Sequence, residues 1–210
     1  MGDVPALSIA IVNLDPAWAE ALEAIELLAF PLANPEDLFS VDVIRAYAEV
    51  FPAGYFVALD DGVPVGQGAG IYLDFDFDHP QHTIAGITGE NQCGNHDPDG
   101  DWYYGTDISV HPDHRGKGIG GMLYEARKAL VIRDGKRGII AGAALPGYMD
   151  HKDSMSAADY VDRVIAGELF DPTLSFQISH GFEVRGMLEG YLDDEADDGW
   201  AALIVWENEG

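Results

Sequence analysis

Asp107-Ile-Ser-Val-His-Pro-Asp-His-Arg-Gly-Lys-Gly-Ile-Gly-Gly121 reads as a strand that runs through a glycine-rich turn into a helix. Ile108 and Val110 suit a strand, Pro112 ends ladder pairing, and from Ile119 onward Met122, Leu123, Ala126 and Leu130 recur at helical spacing. Gly116, Gly118 and Gly120 carry no Cβ, so the amides that open this helix can converge on one anion. Arg115 and Lys117 add formal charge to the positive end of the helix dipole. Charge-assisted hydrogen bonds contribute roughly 1.5–3 kcal/mol each, so three or four hold a diphosphate against its hydration. A phosphorylated cofactor is the expectation. A plain connecting turn would have no reason to carry these glycines, since each costs about 0.5–1 kcal/mol relative to Ala in a helical turn.

The flanks narrow the choice of cofactor. Gly116-Lys-Gly118-Ile-Gly-Gly121 satisfies the dinucleotide fingerprint G-x-G-x-x-G, but such a site also wants a carboxylate about 20 residues on, at the end of the next strand. That region reads Ile139-Ile-Ala-Gly-Ala143 and has none. Nor does Gly116-Lys117 continue into the Ser or Thr of a nucleoside triphosphate loop.

Val110-His-Pro-Asp-His-Arg115-Gly-Lys-Gly118-Ile-Gly120 resembles the acetyl-coenzyme A signature of the GNAT superfamily of N-acetyltransferases, whose core is Arg or Gln, two residues, Gly, one residue, then Gly or Ala. The resemblance implies a mixed, mostly antiparallel six- to seven-stranded α/β (α+β) sheet with a central parallel, splayed pair, flanked by about four helices. It also implies acetyl-CoA as cosubstrate. Ile108, Ser109 and Val110 would then offer a strand edge to the pantetheine arm, while Arg115, Gly116, Lys117, Gly118, Ile119, Gly120 and Gly121 hold the phosphates. An amide near Val110 is the implied oxyanion donor. Gly181-Phe182 fits the same family, in which a short helix ends in Gly-Phe before the sixth strand. More loosely, Asp171-Pro-x-Leu-Ser-Phe-Gln177, Pro146-Gly-Tyr148 and Asp107-Ile are similar to a subgroup sometimes fused to carbon–nitrogen hydrolases, a domain these residues do not contain.

The 210 residues suit a single domain, 1–210, with an irregular insertion at about 74–101. There is no run of about eighteen apolar residues and no basic-then-apolar leader, so the expectation is a cytoplasmic chain without a membrane partner. The lone Cys93 excludes an internal disulfide and suits a reducing compartment. Eleven basic against 37 acidic residues give a net charge of −26, which repels nucleic acid and anionic lipid. The acids are spread along the chain, which favours adaptation to high salt (a halophilic, acidic surface) over a local site for a cation. For assembly, a homodimer is the candidate.

In chain order, residues 6–12 read as a strand, Asp15-Pro16 as a helix start, and Ser40 as the cap of a second helix. Phe30, Leu32, Phe39 and Tyr47 on these helices either touch substrate or, more commonly for such residues, pack the core. Tyr55 to Leu59 and Val63 to Leu73 flank the turn Asp60-Asp-Gly62 as a hairpin, and Pro64 predicts an irregular second arm. Periodicity is lost over residues 74–101, a length that suggests a lid or acceptor loop. Cys93-x-x-His96 with His79 and His82 suggests zinc at first sight. One thiolate and no second tight ligand pair point instead to no metal, with these side chains serving loop backbone or solvent. Trp102 to Val110 and residues 138–144 are read as neighbouring parallel strands, and Ser154 opens a helix with Ala158, Val161, Val164 and Ile165 inward. A short helix over residues 171–180 and two last strands follow.

Acetyl transfer to a primary amine of a small molecule or a protein needs a base, because an alkylamine has a pKa of about 10. Asp107 and Tyr104 lie on the central strand. Strict alternation turns Asp107 away from Tyr104 unless a bulge near Ser109 intervenes, and Asp107 reads equally as a base or as a carboxylate tied to backbone. Many GNAT enzymes carry a Tyr acid four residues before the Gly of Gly-Phe; Gln177 stands there, and an amide cannot protonate a thiolate. Tyr148 and Tyr160 are substitutes by location alone, and such residues more commonly pack with a satisfied hydroxyl. A coenzyme-binding sensor of the same fold that does not turn over is the alternative.

Overall fold

The computed structural model describes residues 9–90 and 93–210. Seven strands, β1 (Ile9–Asn13), β2 (Phe56–Asp60), β3 (Val63–Leu73), β4 (Trp102–Val110), β5 (Gly138–Ala144), β6 (Glu183–Leu188) and β7 (Ala201–Glu207), form one mixed sheet. Their order is β1-β2-β3-β4-β5-β7-β6, and among the described strands only β4 and β5 run parallel. The described helices are α1 (Ala19–Ala29), α2 (Val41–Val50), α3 (Ile84–Thr88), α4 (Ile119–Arg133), α5 (Ala157–Ile165) and α6 (Leu174–Ser179). Two apolar layers result. Leu22, Ile25, Ile44 and Tyr47 of α1 and α2 pack on Val57, Ile71, Tyr104 and Ile140 on one sheet face. Ile119, Leu123 and Leu130 of α4, with Tyr160 and Val161 of α5, pack on Tyr103, Ile139 and Ile204 on the other.

Local chemistry accounts for most boundaries. Asp61 and Gly62 both take positive φ in the two-residue turn between β2 and β3, so Asp60 belongs to the ladder, opposite Val63. The predicted irregularity at Pro64 appears as a register shift that passes over Val65. Ser40 accepts the Val43 amide at the start of α2.

Three boundaries differ from the sequence reading, and a fourth is only partly described. Of the expected strand at 6–12, residues 6–8 lie outside the described residues. Asp15 caps a 3-10 turn over Pro16–Trp18, and the helix proper begins only at Ala19. Ser156, not Ser154, caps α5, which turns Tyr160 inward and leaves Ala158 and Ile165 exposed. Residues 74–101 contain α3, held between the Thr83 cap and left-handed Gly89; five residues are too few to show a helical period.

Gly138 is where β4, β5 and β7 meet most tightly. An added Cβ would lie 2.1 Å from the Trp206 carbonyl oxygen and 2.8 Å from the Trp102 ring. Gly138→Ala is expected to lower unfolding free energy by about 3 kcal/mol, seen as an earlier denaturant midpoint. An unchanged midpoint would mean the strands can part there at no cost.

Candidate active site

The glycine turn is built as an amide cup. His111 Nδ1 accepts the Asp113 amide, and a 3-10 turn over Pro112–His114 carries the chain off β4. Gly116 (φ 74°) and Gly118 (φ 81°) then take left-handed conformations, with open space where a Cβ would stand. The first amide of α4 with a protein acceptor is that of Met122, which donates to the Gly118 carbonyl; none of the amides of residues 116–121 has one among the described residues. Gly120 and Gly121 serve another purpose. Their Cβ atoms would meet Phe176 at 3.0 Å and His180 Nε2 at 2.9 Å, so they let α6 pack closely over α4. Arg115 ties the turn down, donating from Nε to Val110 O (3.2 Å) and from a terminal nitrogen to Ala29 O (3.3 Å). Lys117 is exposed and lies off the groove.

The strand leading into this cup leaves its neighbour. Pairing of β4 with β5 stops at Gly105 opposite Ala141, while β5 continues against β7 to Ala144. On its other side β4 stays paired with β3 to Val110, and Thr106 is an extra residue between Gly105 and Asp107 in that register. A bulge of this kind bends and twists its strand, which opens the gap toward β5. Because the His111 amide donates to Val65 O, alternation points the amides of Ser109 and Asp107 toward β3 and those of Ile108 and Val110 into the gap. Arg127 of α4 braces the bulge: its guanidinium donates to the carbonyls of Ala69 (2.9 Å) and Asp107. It passes between Gly68 and Gly105, where a Cβ would come within 2.9 Å and 3.3 Å of it, and the rings of Tyr103 and Tyr124 flank it.

Cup and gap form one groove of about 590 Å³, walled by Phe30, Ile108, Val110, Arg115, Gly118 and Phe176. At its inner end Ile108, Tyr124, Ala144 and Gln177 also line a deeper pocket. That pocket is closed by Phe39, Tyr191, Glu26 and Asp107. The bulge places Thr106 and Asp107 on the α1–α2 face together with Tyr104: Tyr47 donates to Thr106 Oγ1, and Asp107 meets Glu26 of α1. The bulge is thus at Thr106 rather than near Ser109, and it reverses the facing that strict alternation assigns to Asp107. Burial raises the pKa of both Glu26 and Asp107, and the charge of Glu26 raises that of Asp107 further. Bonds from Ser109 and Gln67 oppose the rise at Glu26, and Arg127 opposes it at Asp107. Two like carboxyls this close share a proton rather than both ionise.

Gln177, 4% exposed, donates from Nε2 to the Tyr124 hydroxyl (3.0 Å), and its buried Oε1 has no partner among the described residues. With its oxygen accepting that bond, the Tyr124 hydroxyl keeps its hydrogen for another acceptor.

Of the other residues singled out by sequence, Ser109 lines the groove with its hydroxyl 3.5 Å from Asp107. Ile119 is buried beneath it. Tyr148 lies outside both cavities and donates to Met155 O; Tyr160 donates to Asp171, whose oxygens also take the amides of Gly147, Thr173 and Leu174. Tyr104 is one layer behind the pocket, its hydroxyl 3.0 Å from that of Tyr191. Phe30 and Phe39 line the pocket, whereas Leu32 is exposed. His96 Nδ1 accepts the Tyr72 amide and His79 pairs with Asp76, and no group of described side chains is arranged to hold a metal. Glu26, Tyr124 and Arg127 were missed. Met122 of the predicted apolar stripe is exposed instead, and the buried face of α4 includes Tyr124 and Arg127. A buried arginine has no sequence signal of its own, though Gly68 and Gly105 on facing strands hinted at a large neighbour.

Residues 19–146 match the profile of the acetyltransferase (GNAT) family. The chain is similar to the probable hydrolase YhcX of Bacillus subtilis strain 168, 38% identical over 94% of this chain, and spans 38% of that protein's length. It is 30% identical to the uncharacterized N-acetyltransferase YkwB of the same organism, over 96% of this chain and 89% of that one. Among solved structures it resembles the loading GNATL domain of CurA from Lyngbya majuscula, with a TM-score of 0.81 at 19% identity, covering 95% of this chain and 97% of that one. At that identity the likeness concerns the fold alone. No described helix is long and apolar enough to cross a membrane.

The carboxyl pair makes stability depend on pH. Its members start from ordinary values of 4.5 and 3.8 and are raised by folding, so above about pH 4 the folded chain binds more protons than the unfolded one. Their contribution is therefore full in acid and is lost as pH rises through the folded values. Asp197, raised to about 7 mainly by burial, acts in the same sense. The melting temperature is expected to fall between about pH 5 and about pH 8, and Asp107→Asn is expected to flatten that slope. An unchanged slope in the variant would assign the effect to Asp197 and the surface charge.

Proposed function

The chain belongs to the GNAT acetyltransferase family, and from that premise we propose that it moves an acetyl group from acetyl-CoA to a primary amine of a small molecule or a protein. One observation carries the reading: the amides of residues 116–121 have no acceptor among the described residues, and Gly116, Gly118, Ile119 and Gly120 line the same groove as the open edge of β4. In this reading the diphosphate lies on the amides of Gly116, Gly118 and their neighbours beside Arg115, with Lys117 supplying field from outside. The pantetheine arm extends β4 along Ile108, Ser109 and Val110, as a peptide extends a sheet edge. The thioester then reaches the gap beyond Gly105, where groove and pocket meet.

An ammonium substrate enters the pocket toward the single negative charge of the Glu26–Asp107 pair and gives a proton to it. The neutral nitrogen forms a bond to the thioester carbon as the carbon–sulfur bond breaks. The departing sulfur takes the Tyr124 hydroxyl hydrogen, which the second nitrogen proton replaces. Tyr148 has no part in this step, because its hydroxyl is committed to Met155 O. Gln177 in the family's tyrosine position favours a second reading, a sensor that binds acetyl-CoA without turnover.

Incubation with acetyl-CoA and a panel of primary amines (putrescine, tyramine, an aminoglycoside, a peptide with a free N-terminal alanine) is expected to release free thiol in an amine-dependent manner. Thiol that never appears, although acetyl-CoA raises the melting temperature, would support the sensor; no thermal shift at all would remove the coenzyme from the groove. Gly118→Asp puts a carboxylate in the cup, at a left-handed position Asp tolerates, so the fold should survive. Its affinity for acetyl-CoA should drop by roughly 100-fold or more, the equivalent of losing about two charge-assisted hydrogen bonds. Wild-type affinity in this variant would count against diphosphate on the amides.

A further inference from the structure

Acetylation of a cationic amine leaves one net proton in the pocket at each turnover: ammonium and thioester become amide, thiol and a proton. The Glu26–Asp107 pair that receives it is buried, at 2% and 9% exposure, and must be emptied before the next cycle. The wall formed by Tyr191 offers an exit. Resting on the transferase reading, we propose that Tyr191, Tyr104 and His82 form a proton relay from the pocket to solvent, ending on the 74–101 segment.

The three groups are in register. The Tyr191 and Tyr104 hydroxyls are 3.0 Å apart, the Tyr104 hydroxyl is 2.6 Å from His82 Nε2, and His82 Nδ1 is 2.6 Å from Pro80 O. The carbonyl at the far end sets the direction. It can only accept, so Nδ1 carries the hydrogen and, in a neutral ring, Nε2 presents a lone pair. The Tyr104 hydroxyl has one hydrogen and two neighbours, Tyr191 and Nε2; when it turns to donate to Nε2, Tyr191 donates to it. This leaves a lone pair on Tyr191 for the pocket, which Tyr191 lines. A proton that the pair releases to pocket water bonds to the Tyr191 oxygen, the Tyr191 hydrogen passes to Tyr104, and the Tyr104 hydrogen passes to Nε2. The half-buried imidazolium gives its Nδ1 proton to water, exchange through water moves the remaining ring hydrogen from Nε2 back to Nδ1, and the hydroxyls turn back. Neither phenol has to ionise, which suits groups whose pKa burial raises.

The surroundings keep His82 a proton acceptor near neutrality. The titratable groups facing it are Tyr104 from β4 and Tyr191 from the segment after β6, and Phe75 stands edge-on to its ring. Burial holds its pKa below the usual histidine range, against the pull of Pro80 O. The segment is docked so that the chain stays aligned: the Ile84 amide donates to Tyr191 O, and Gln81 bonds both the amide and the carbonyl of Glu189.

The test uses the full chain with saturating acetyl-CoA and the best amine of the panel. His82→Ala and Tyr104→Phe are each expected to lower kcat by about 10- to 100-fold with KM little changed, and to abolish the acid limb of the kcat–pH profile. Added imidazole should restore His82→Ala and leave Tyr104→Phe slow. Unchanged kcat and profile in both variants would overturn the relay. So would a loss in His82→Ala that imidazole does not restore and that follows a lower melting temperature, since the contact would then only clamp the segment. If wild-type protein releases no thiol from any amine, the transferase reading and the relay fall together; if it does and the variants match it, the relay alone falls.

Discussion

Two carbonyls of the sheet, those of Ala69 and Asp107, turn toward one buried guanidinium, that of Arg127, where β4 carries an extra residue. A charge taken out of water has to be matched locally or the chain will not fold around it. Here it is matched by the carbonyls, two aromatic faces and the field of the Asp107 carboxyl. The match stabilises an interruption of the ladder that would otherwise cost hydrogen bonds. From it follow the parting of β4 from β5, the open amides of Ile108 and Val110, and the turning of Asp107 toward α1.

The bulge thereby joins two sites that the chain builds separately. The amide cup is a local product, made by two left-handed glycines and a helix start. The acidic pocket is a product of packing between α1, β4 and the segment after β6. They meet where Tyr124 and Gln177 line both, so an acyl group held by its phosphates at one end can be presented to an amine at the other. The charge pattern suits the division. The cup has Arg115 and Lys117 beside it, and the pocket ends in a proton-sharing carboxyl pair, within a chain of net charge −26.

The proton-bearing groups at the site are not those that sequence position alone offers. Tyr148 and Tyr160 spend their hydroxyls on Met155 and Asp171 and so anchor the segment after β5. Tyr124, beside the apolar stripe of α4 rather than in it, reaches the seam of the site. Gln177 occupies the position where a proton donor was sought and instead orients one. The histidines of the 74–101 segment, first read as loop polarity, include one that touches a buried tyrosine.

What the sequence determined by itself was whatever lies in runs of a few residues. The strand, turn and helix over 102–133, the hairpin at Asp61-Gly62 and the Ser40 cap were all legible there, because backbone dihedrals, capping bonds and hydrophobic period are set by neighbours in the chain. The amide cup was legible for the same reason. The fold class came with the family resemblance that the 110–120 motif carries. The facing of Asp107, its pairing with Glu26, the burial of Arg127 and the chain from Tyr191 to His82 were decided only by the tertiary structure. Each depends on one extra residue at Thr106 or on contacts between elements far apart in sequence, and a one-residue shift of register leaves composition and periodicity unaltered while moving every later side chain to the other face.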